Sequence, residues 1–387
     1  MACSSSIRAQ VPNFQWAKNA VGVNAESGES IAVDANGNVL VAGHFFSSTV
    51  SFGTFSLTSN GMFDFFIVKY DPAGNVLWAK SGGGQFFDYA KAIVTDNTGN
   101  VYVAGNYYSP TITVGNSTLT SVGGADGFLI KYNTAGNQIW AKNIGGDMDD
   151  LINGITADQN GNIYITGSFQ SSSLVCDNYT LTSPGSAEAF VTKYNGSGNV
   201  IWARNFEGTN DDDGNAIAVD GSENVFITGK YASPFLTIDS YTLTNQGSSD
   251  AFVTKLDALG NALWAKSAGG SFNDSGYEIT LDPFGNTYIA GDFNSSTLTV
   301  ESFTLSNFGN FDFFIAKYNS AGNAIWAKAE GDINDEVCTG LSTDVNANLY
   351  ITGHFHGLSI TRNQYFDKQR SIWWRYVSSK IQYSRKR

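Results

Sequence analysis

The chain has 387 residues, of which 42 are Gly and only 6 Pro, with 14% aromatic and 15% charged residues; this suits neither a coiled coil nor a charge-driven disordered segment and reads as a turn-rich β protein. Lys and Arg number 22 against 35 Asp and Glu, a net charge of −13, so the long-range field repels polyanions and excludes a general nucleic-acid-binding role. The three cysteines, Cys3, Cys176 and Cys338, lack CxxC spacing and indicate neither a disulfide framework nor a zinc site, and no apolar run reaches membrane-spanning length.

Residues 1–12 read as a leader remnant. The stretch Met1–Gln10 lacks a charged start and an apolar segment of its own but resembles the end of a secretory signal, with translation expected to begin upstream and cleavage after Ala9. From Asn13 the chain repeats without a gap. WAK or WAR begins at Trp16, Trp78, Trp140, Trp202, Trp264 and Trp326, an interval of 62 residues. Asp34, Asp96, Asp158, Asp220, Asp282 and Asp344 form a second ladder at that interval, and Gly43, Gly105, Gly167, Gly229, Gly291 and Gly353 a third. Three ladders in one register mean that a single structural unit has been copied. The units fall at about 19–80, 81–142, 143–204, 205–266, 267–328 and, incompletely, 329–361, within an array over 13–361.

Inside a unit, Ile31–Asp34 and Val39–Gly43 flank a DxxGN turn, and Phe65–Tyr70 passes through Asp71–Asn75 into Val76–Lys80. Each pair predicts a β-hairpin, because Asp can accept backbone N–H groups while Gly supplies the positive φ. Four strands per unit follow. They are apolar on both faces, so each small sheet must be covered on both sides, and radial packing of four-stranded blades into a β-propeller covers them and protects their edges. The position occupied by Ser30, Ala92, Gly154, Ala216, Glu278 and Gly340 is mostly small, which makes the first strand the crowded inner one and the Trp-bearing fourth strand the outer one. Asn13–Lys18 is an orphan fourth strand, with which the termini could close a ring by sharing a blade. Between the second and third strands, a longer segment with recurring Leu57 and Gly61, Leu119 and Gly123, predicts small extra hairpins gathered at one end of the domain, where a binding surface is to be sought along with the acidic face.

The run Asp158–Phe169, with the pattern D-x-x-G-N-x-Y-x-x-G-x-F, and the DxFxxKYxxxGNxxWAK half resemble the bacterial seven-bladed-β-propeller (SBBP) repeat family over residues 13 to about 361. The resemblance implies a propeller of secreted or surface-exposed bacterial proteins, with seven blades in the parent where about six periods stand here. Glu223 and Ala347 replace the turn Gly, and Glu188 the Asp of the third strand.

Candidate chemistry is sparse. Glu26, Asp88, Asp150, Asp212, Asp274 and Glu336 recur at the repeat interval in the loop linking one unit to the next, and symmetry would set them in a ring on one face. Such a ring is either a cation site or acidic binding rim, or a set of carboxylates that fix the inter-blade turns; a group needed in every blade favours the architectural role. Asn210–Gly214 has the alternating acids of a Ca²⁺ loop, with Asp211, Asp213 and Asp220 as weak candidate ligands, but Thr209 holds the first ligand position. His44 and His354 share a repeat position with Asn106, Ser168, Lys230 and Asp292, which reads as an exposed strand end and not a catalytic pair. Neither GxSxG nor HExxH is present. The repeated Trp is expected to pack between blades, the alternative being a platform for sugar rings.

After Thr361 the period breaks. Residues 362–387 carry Trp373, Trp374 and a basic end, and codons for Asn363 onward, read one nucleotide later, can spell the missing third-strand motifs, so a frameshifted tail is expected. The sequence therefore predicts a monomeric, noncatalytic, secreted or cell-surface propeller that binds a protein or glycan partner or serves as a structural scaffold, with no cofactor beyond a weak Ca²⁺ possibility. The alternatives are a carbohydrate-active or other enzyme with its site at the central channel, and a truncated or frameshifted fragment without a function of its own.

Overall fold

In a computed structural model, the protein is described over residues 15–184, 186–331 and 333–355, together with the backbone of 376–381. Residues 1–14, with Cys3, and the remainder of the tail lie outside the described residues. Every element among them is a strand. The first unit contains β1 (Glu26–Val33), β2 (Val39–Phe45), β3 (Thr49–Phe52), β4 (Phe55–Thr58), β5 (Asp64–Tyr70) and β6 (Val76–Gly83). β1, β2, β5 and β6 form an antiparallel blade in that order, while β3 and β4 form a separate hairpin. The next four units repeat this arrangement. The fold is a β-propeller of four-stranded blades, as the sequence predicts.

Periodicity in burial follows from the packing. β5 and its equivalents are buried at all or nearly all positions, since a neighbouring blade covers each face. The inner strands pack in series: β1 on Asp88–Thr95, that on Asp150–Ala157, then Asp212–Val219, Asp274–Leu281 and Glu336–Thr343. Each carries a β-bulge, between Gly28 and Ser30 in β1 and at the equivalent place in the others. The bulged Asn153 and Asn215 donate to Gly214 O and Gly276 O of the following inner strand, at 3.1 and 2.8 Å. Small residues are needed beside that contact, for a Cβ on Gly154 would stand 3.2 Å from Asn215 O.

At the outer strands, Trp16, Trp78, Trp140, Trp202 and Trp264 donate their indole N–H to a carbonyl in the outer turn of the following blade, at Pro72, Thr134, Gly196, Ala258 and Ser320 over 3.0–3.4 Å. The indole face lies over that turn's glycine: a Cβ on Gly74, Gly136 or Gly322 would come within 2.6–2.7 Å of Trp16, Trp78 or Trp264. These glycines also have φ of +81°, +76° and +82°, so one residue meets two demands that any side chain would violate. Tyr164 of the same blade flanks Trp202 on its other side, and Tyr102 flanks Trp140. The indoles are thus seam residues, not sugar platforms.

Three features depart from the sequence reading. The extra hairpins are not gathered at one end; each lies along the outer edge of the preceding blade. Thr111–Val114 pairs with β6, Thr297–Val300 pairs with Ala262–Gly269, and single bridges Val21–Ser51 and Glu207–Thr237 mark the same contact elsewhere. An outer strand would otherwise expose its unpaired backbone groups, and the hairpin covers them. Second, residues 15–20 form no strand, although Trp16 sits on the first blade as an outer-strand Trp should, and no packing like that between successive inner strands joins Glu336–Thr343 to β1 among the described residues. Third, Tyr376–Ile381 supplies a third strand to the last sheet, pairing Leu349 with Ile381. The repeat's register would pair Leu349 with residue 380, so this pairing is one residue out.

The DxxGN turns are Asx turns. Asp34 Oδ1 accepts from Asn36 N and Asn38 N at 2.9 and 3.0 Å, and its Oδ2 from Asn38 Nδ2 at 2.8 Å. The buried Lys69 ammonium lies 2.9 Å from the same carboxylate. Burial alone would raise the Asp34 pKa, but the bonds from Asn38 and Lys69 outweigh it and bring it down to about 2. Ala347 occupies the left-handed position at φ +58°, as Glu223 does at +62°, where the remaining units have Gly.

Two measurements check these seams. Trp202→Ala removes a nearly buried indole and is expected to cost about 3–5 kcal/mol in denaturant unfolding, with binding functions unaffected at native concentrations. Ala347→Gly relieves a left-handed non-glycine residue and is expected to add about 1 kcal/mol, read as a higher melting midpoint.

Candidate functional site

The inter-blade acids are not on a face. Asp88, Asp150, Asp212 and Asp274 are 0–1% exposed, Glu336 is 3% exposed and Glu26 is half-buried, so of the two readings the architectural one holds and the acidic rim does not: the carboxylates lie inside the blade junctions. Each is placed by its own backbone: Asp88 N donates to Phe63 O at 2.8 Å, and Asp150, Asp212, Asp274 and Glu336 repeat the bond at 2.7–2.8 Å. The Asp88 carboxylate accepts from Gly84 N at 2.7 Å, Ser109 Oγ at 2.9 Å and Ser109 N at 3.3 Å. Ser171, Ser233 and Ser295 do the same for Asp150, Asp212 and Asp274. These acids therefore tie the link between blades to the loop after the second strand.

A second buried acid stands beside each of them, and sequence reasoning did not count it as a site. Asp64, Asp126, Glu188, Asp250 and Asp312, the first residue of each third strand, are 0% exposed. A Cβ on Gly83, Gly145 or Gly269 would lie within 2.0–2.4 Å of the carboxyl of Asp64, Asp126 or Asp250, so the glycine pair ending each blade gives that carboxyl its space. In the third unit Glu207 replaces the first of those glycines. The acid there is correspondingly Glu188, whose longer arm accepts from Gly208 N at 3.0 Å. Burial pushes Asp64 up to about 7 and Glu188 up to about 8, with the adjacent Asp88 or Asp212 charge adding to the effect. Asp212, Asp250 and Asp274 rise to about 6, again chiefly through burial. The signal available in the sequence was the period of the third-strand acid together with the paired glycine.

The weak Ca²⁺ loop does not assemble. Asp211 is exposed and accepts from Ser186 Oγ, Asp213 lies 3.2 Å from Lys230, and Asp220 caps its turn through Ser222 N and Asn224 N. Strand alternation sends Asp211 and Asp213 away from Asp212, and Asp220 stands at the far end of that strand. Among the described residues, no three His, Cys, Asp or Glu side chains converge on one point. His44 is not an exposed strand end either: its ring packs against Phe63 and Tyr89 at 5.1 and 4.8 Å, with Nδ1 3.4 Å from Glu29.

Around His44 the repeat loses its symmetry. Phe46, Phe63, Phe87, Tyr89 and Tyr108 form a chain of ring contacts 5.0–6.3 Å apart across the junction of the first two blades. Phe46, Met62, Phe86 and Tyr108 are 38–43% exposed. Lys91 Nζ lies 5.4 Å from the Tyr89 ring centre. Other units place Ala125, Ala187, Ser249 or Phe311 where Phe63 stands, and Asp149, Asp211, Asn273 or Asp335 where Phe87 stands. Phe63 and Phe87 immediately precede Asp64 and Asp88, so the buried carboxyl pair and its backbone bonds hold the aromatic loops together. This patch is what sequence reasoning missed; the aromatic departures at aligned repeat positions were its signal.

On the inner strands, Glu278 alone places a carboxyl where the other blades have Ser, Ala or Gly. Burial raises it from 4.5 to about 7, and it acts with burial to push the neighbouring Cys338 thiol up to about 12. The folded state thus holds a proton between about pH 4.5 and 7 that the unfolded chain has released, and stability falls as pH rises through 7. Glu278→Ala is expected to raise the melting midpoint relative to the parent more at pH 8 than at pH 4; an equal shift at both would refute the assignment.

Comparison with known proteins agrees with this architecture. Residues 139–168 match the Beta-propeller repeat (SBBP) family profile. The chain is 26% identical to an uncharacterized WD repeat-containing protein of Acanthamoeba polyphaga mimivirus, over 88% of this chain and 31% of that protein. It is 24% identical to the regulatory protein FlaEY of Caulobacter vibrioides over 33% of this chain and 15% of that protein. The chain thus spans about a third or less of the length of these relatives. Among solved structures, a member of the DUF4221 family from Bacteroides vulgatus aligns over 87% of this chain and 91% of its own at 10% identity, with a TM-score of 0.40.

Proposed function

Residues 139–168 are a β-propeller repeat of the SBBP family, and the same residues recur through the register in the other units; from this scaffold we propose a noncatalytic binding protein, secreted or displayed at a cell surface, that docks another protein through the aromatic patch on its first two blades. The observation that carries the reading is the patch's asymmetry. Residues shared by every blade serve the seams; Phe63 and Phe86 have aromatic counterparts in Phe311 and Phe272, but Phe87 and Tyr89 stand where the next unit has Asp149 and Leu151, and Phe46 and Tyr108 where later units have Gln170, Ala232 and Asn294, and it is these four that link the rings of the first junction. Clustered, partly exposed aromatic and Met side chains are the composition of a protein-interface core, and few other features make so large a contact at so small an entropic cost.

Charge narrows the partner. Glu29 and Asp149 border the rings, and the whole chain carries −13, so the fitting surface is apolar with Lys or Arg at its edge. The near-identical remaining blades supply a rigid support and further copies of weak edge contacts, which add through effective concentration when the partner is itself repetitive. A monomer suffices for this role.

The test is selection of peptides from a displayed random library against the immobilised chain. Peptides combining aromatic or aliphatic residues with Lys or Arg are expected, and Phe46→Ser with Phe86→Ser, both partly exposed positions, is expected to weaken them at least about tenfold. Binding of sugars on a glycan array, unaffected by these substitutions and unaccompanied by peptide enrichment, would replace the proposal with a glycan-binding one.

A further inference from the structure

The blade junctions bury more carboxyl oxygens than their hydrogen bonds satisfy. At four successive junctions two buried carboxyls stand close enough to repel one another: Asp64 with Asp88, Asp126 with Asp150, Glu188 with Asp212, and Asp250 with Asp274. The second member of each pair is filled by Ser and backbone donors. In the first member one oxygen is filled, by Asn60 N, Val122 N, Gly208 N or Gln246 N, while the other, Asp64 Oδ1, Asp126 Oδ1, Glu188 Oε1 or Asp250 Oδ1, is buried with no hydrogen-bond partner. Among the described residues no Lys, Arg or His forms an ion pair with any of the eight acids. A bare carboxylate oxygen beside a second buried carboxylate is costly unless a proton or a cation meets it.

We propose that each of these junctions is a binding site for a divalent cation of the calcium class, held by the bare oxygen of the third-strand acid and by the junction Asp. The donors are hard oxygens, which suits Ca²⁺ over softer metals. Only two carboxylates contribute per site, so carbonyl groups and water complete the shell, and the affinity belongs in the weak range of extracellular modules, about 10⁻⁴–10⁻³ M. The ion would lock successive blades at the place where the inter-blade link, the third strand and the loop after the second strand meet. At the first junction the ion would sit beneath the aromatic patch, through Asp64 and Asp88, whereas the other three sites contain none of the patch residues, so cation binding there is tested separately from any protein partner.

The probe is the metal alone, on the full chain freed of cations. Equilibrium dialysis with Ca²⁺ at pH 7.5 is expected to show saturable binding approaching one ion for each of the four junctions. Tb³⁺ should occupy the same sites and emit on excitation of Tyr107 and Tyr231, which adjoin Asp126 and Asp250, with Ca²⁺ quenching the signal by competition. Asp126→Asn with Asp250→Asn should remove two equivalents and most of the sensitised emission while the circular dichroism of the strands is kept. If the double variant fails to fold, Asn143→Ala, which removes a donor from the Asp126 carboxylate without touching its charge, should still bind the full complement. Absence of saturable binding up to about 10 mM Ca²⁺, or a stoichiometry unchanged in the folded Asp→Asn variant, would overturn the proposal and leave the pairs as shared-proton carboxyls.

Discussion

Each blade is finished by its neighbours. An indole from one outer strand lies on the glycine of the next blade's turn and gives its N–H to a carbonyl there, while the next blade's extra hairpin returns to cover the edge from which that indole came. Neither contact can form within a single unit. A lone four-stranded sheet of this sequence would leave an apolar face and a strand edge in water, which is why the unit stands here in an array with an unbroken period.

From that constraint follows the distribution of polar groups. Carboxylates that hold turns keep their charge because amides and Lys surround them; Asp34 shows this, with its Asx turn and Lys69. Carboxylates at the junctions are pressed between blades, where burial dominates, and they rise instead. The same residue type behaves in opposite ways for a reason of packing, not of identity. At the first junction the loops that these acids fasten end in Phe63 and Phe87, so the device that joins two blades also sets an aromatic surface on them. Binding is thereby built on the stiffest part of the scaffold, and its specificity lies in residues that the repeat leaves free to vary.

Much of this was readable from the chain. The 62-residue ladders of Trp, Asp and Gly fixed four strands per blade, the turn chemistry, the inner and outer ends and the packing of Trp between blades, because each depends on residues close together in one unit or repeated without change. The pairing of Glu188 with Glu207 was visible as two substitutions in one unit but had no meaning until Gly83 and its equivalents were seen beneath the third-strand acids. Sequence symmetry alone favoured an architectural role for the acids, which holds, but left open a ring on one face, which does not, and it put the hairpins at one end, which was wrong: periodicity tells that positions are equivalent, not which side of the neighbouring copy they meet.

The sequence by itself determined the unit, its hydrogen-bonded turns and its need for covered faces, since hydrophobic pattern and turn propensity act over a few residues. Only the tertiary structure decided that paired carboxyls fall inside the seams, that Glu278 stands among small residues on the inner strands, and that Phe46, Phe63, Phe87 and Tyr108, drawn from separate loops, form one surface. Such placements depend on how two sheets twist and settle against each other, a long-range balance of packing and desolvation that no local stretch of the chain encodes.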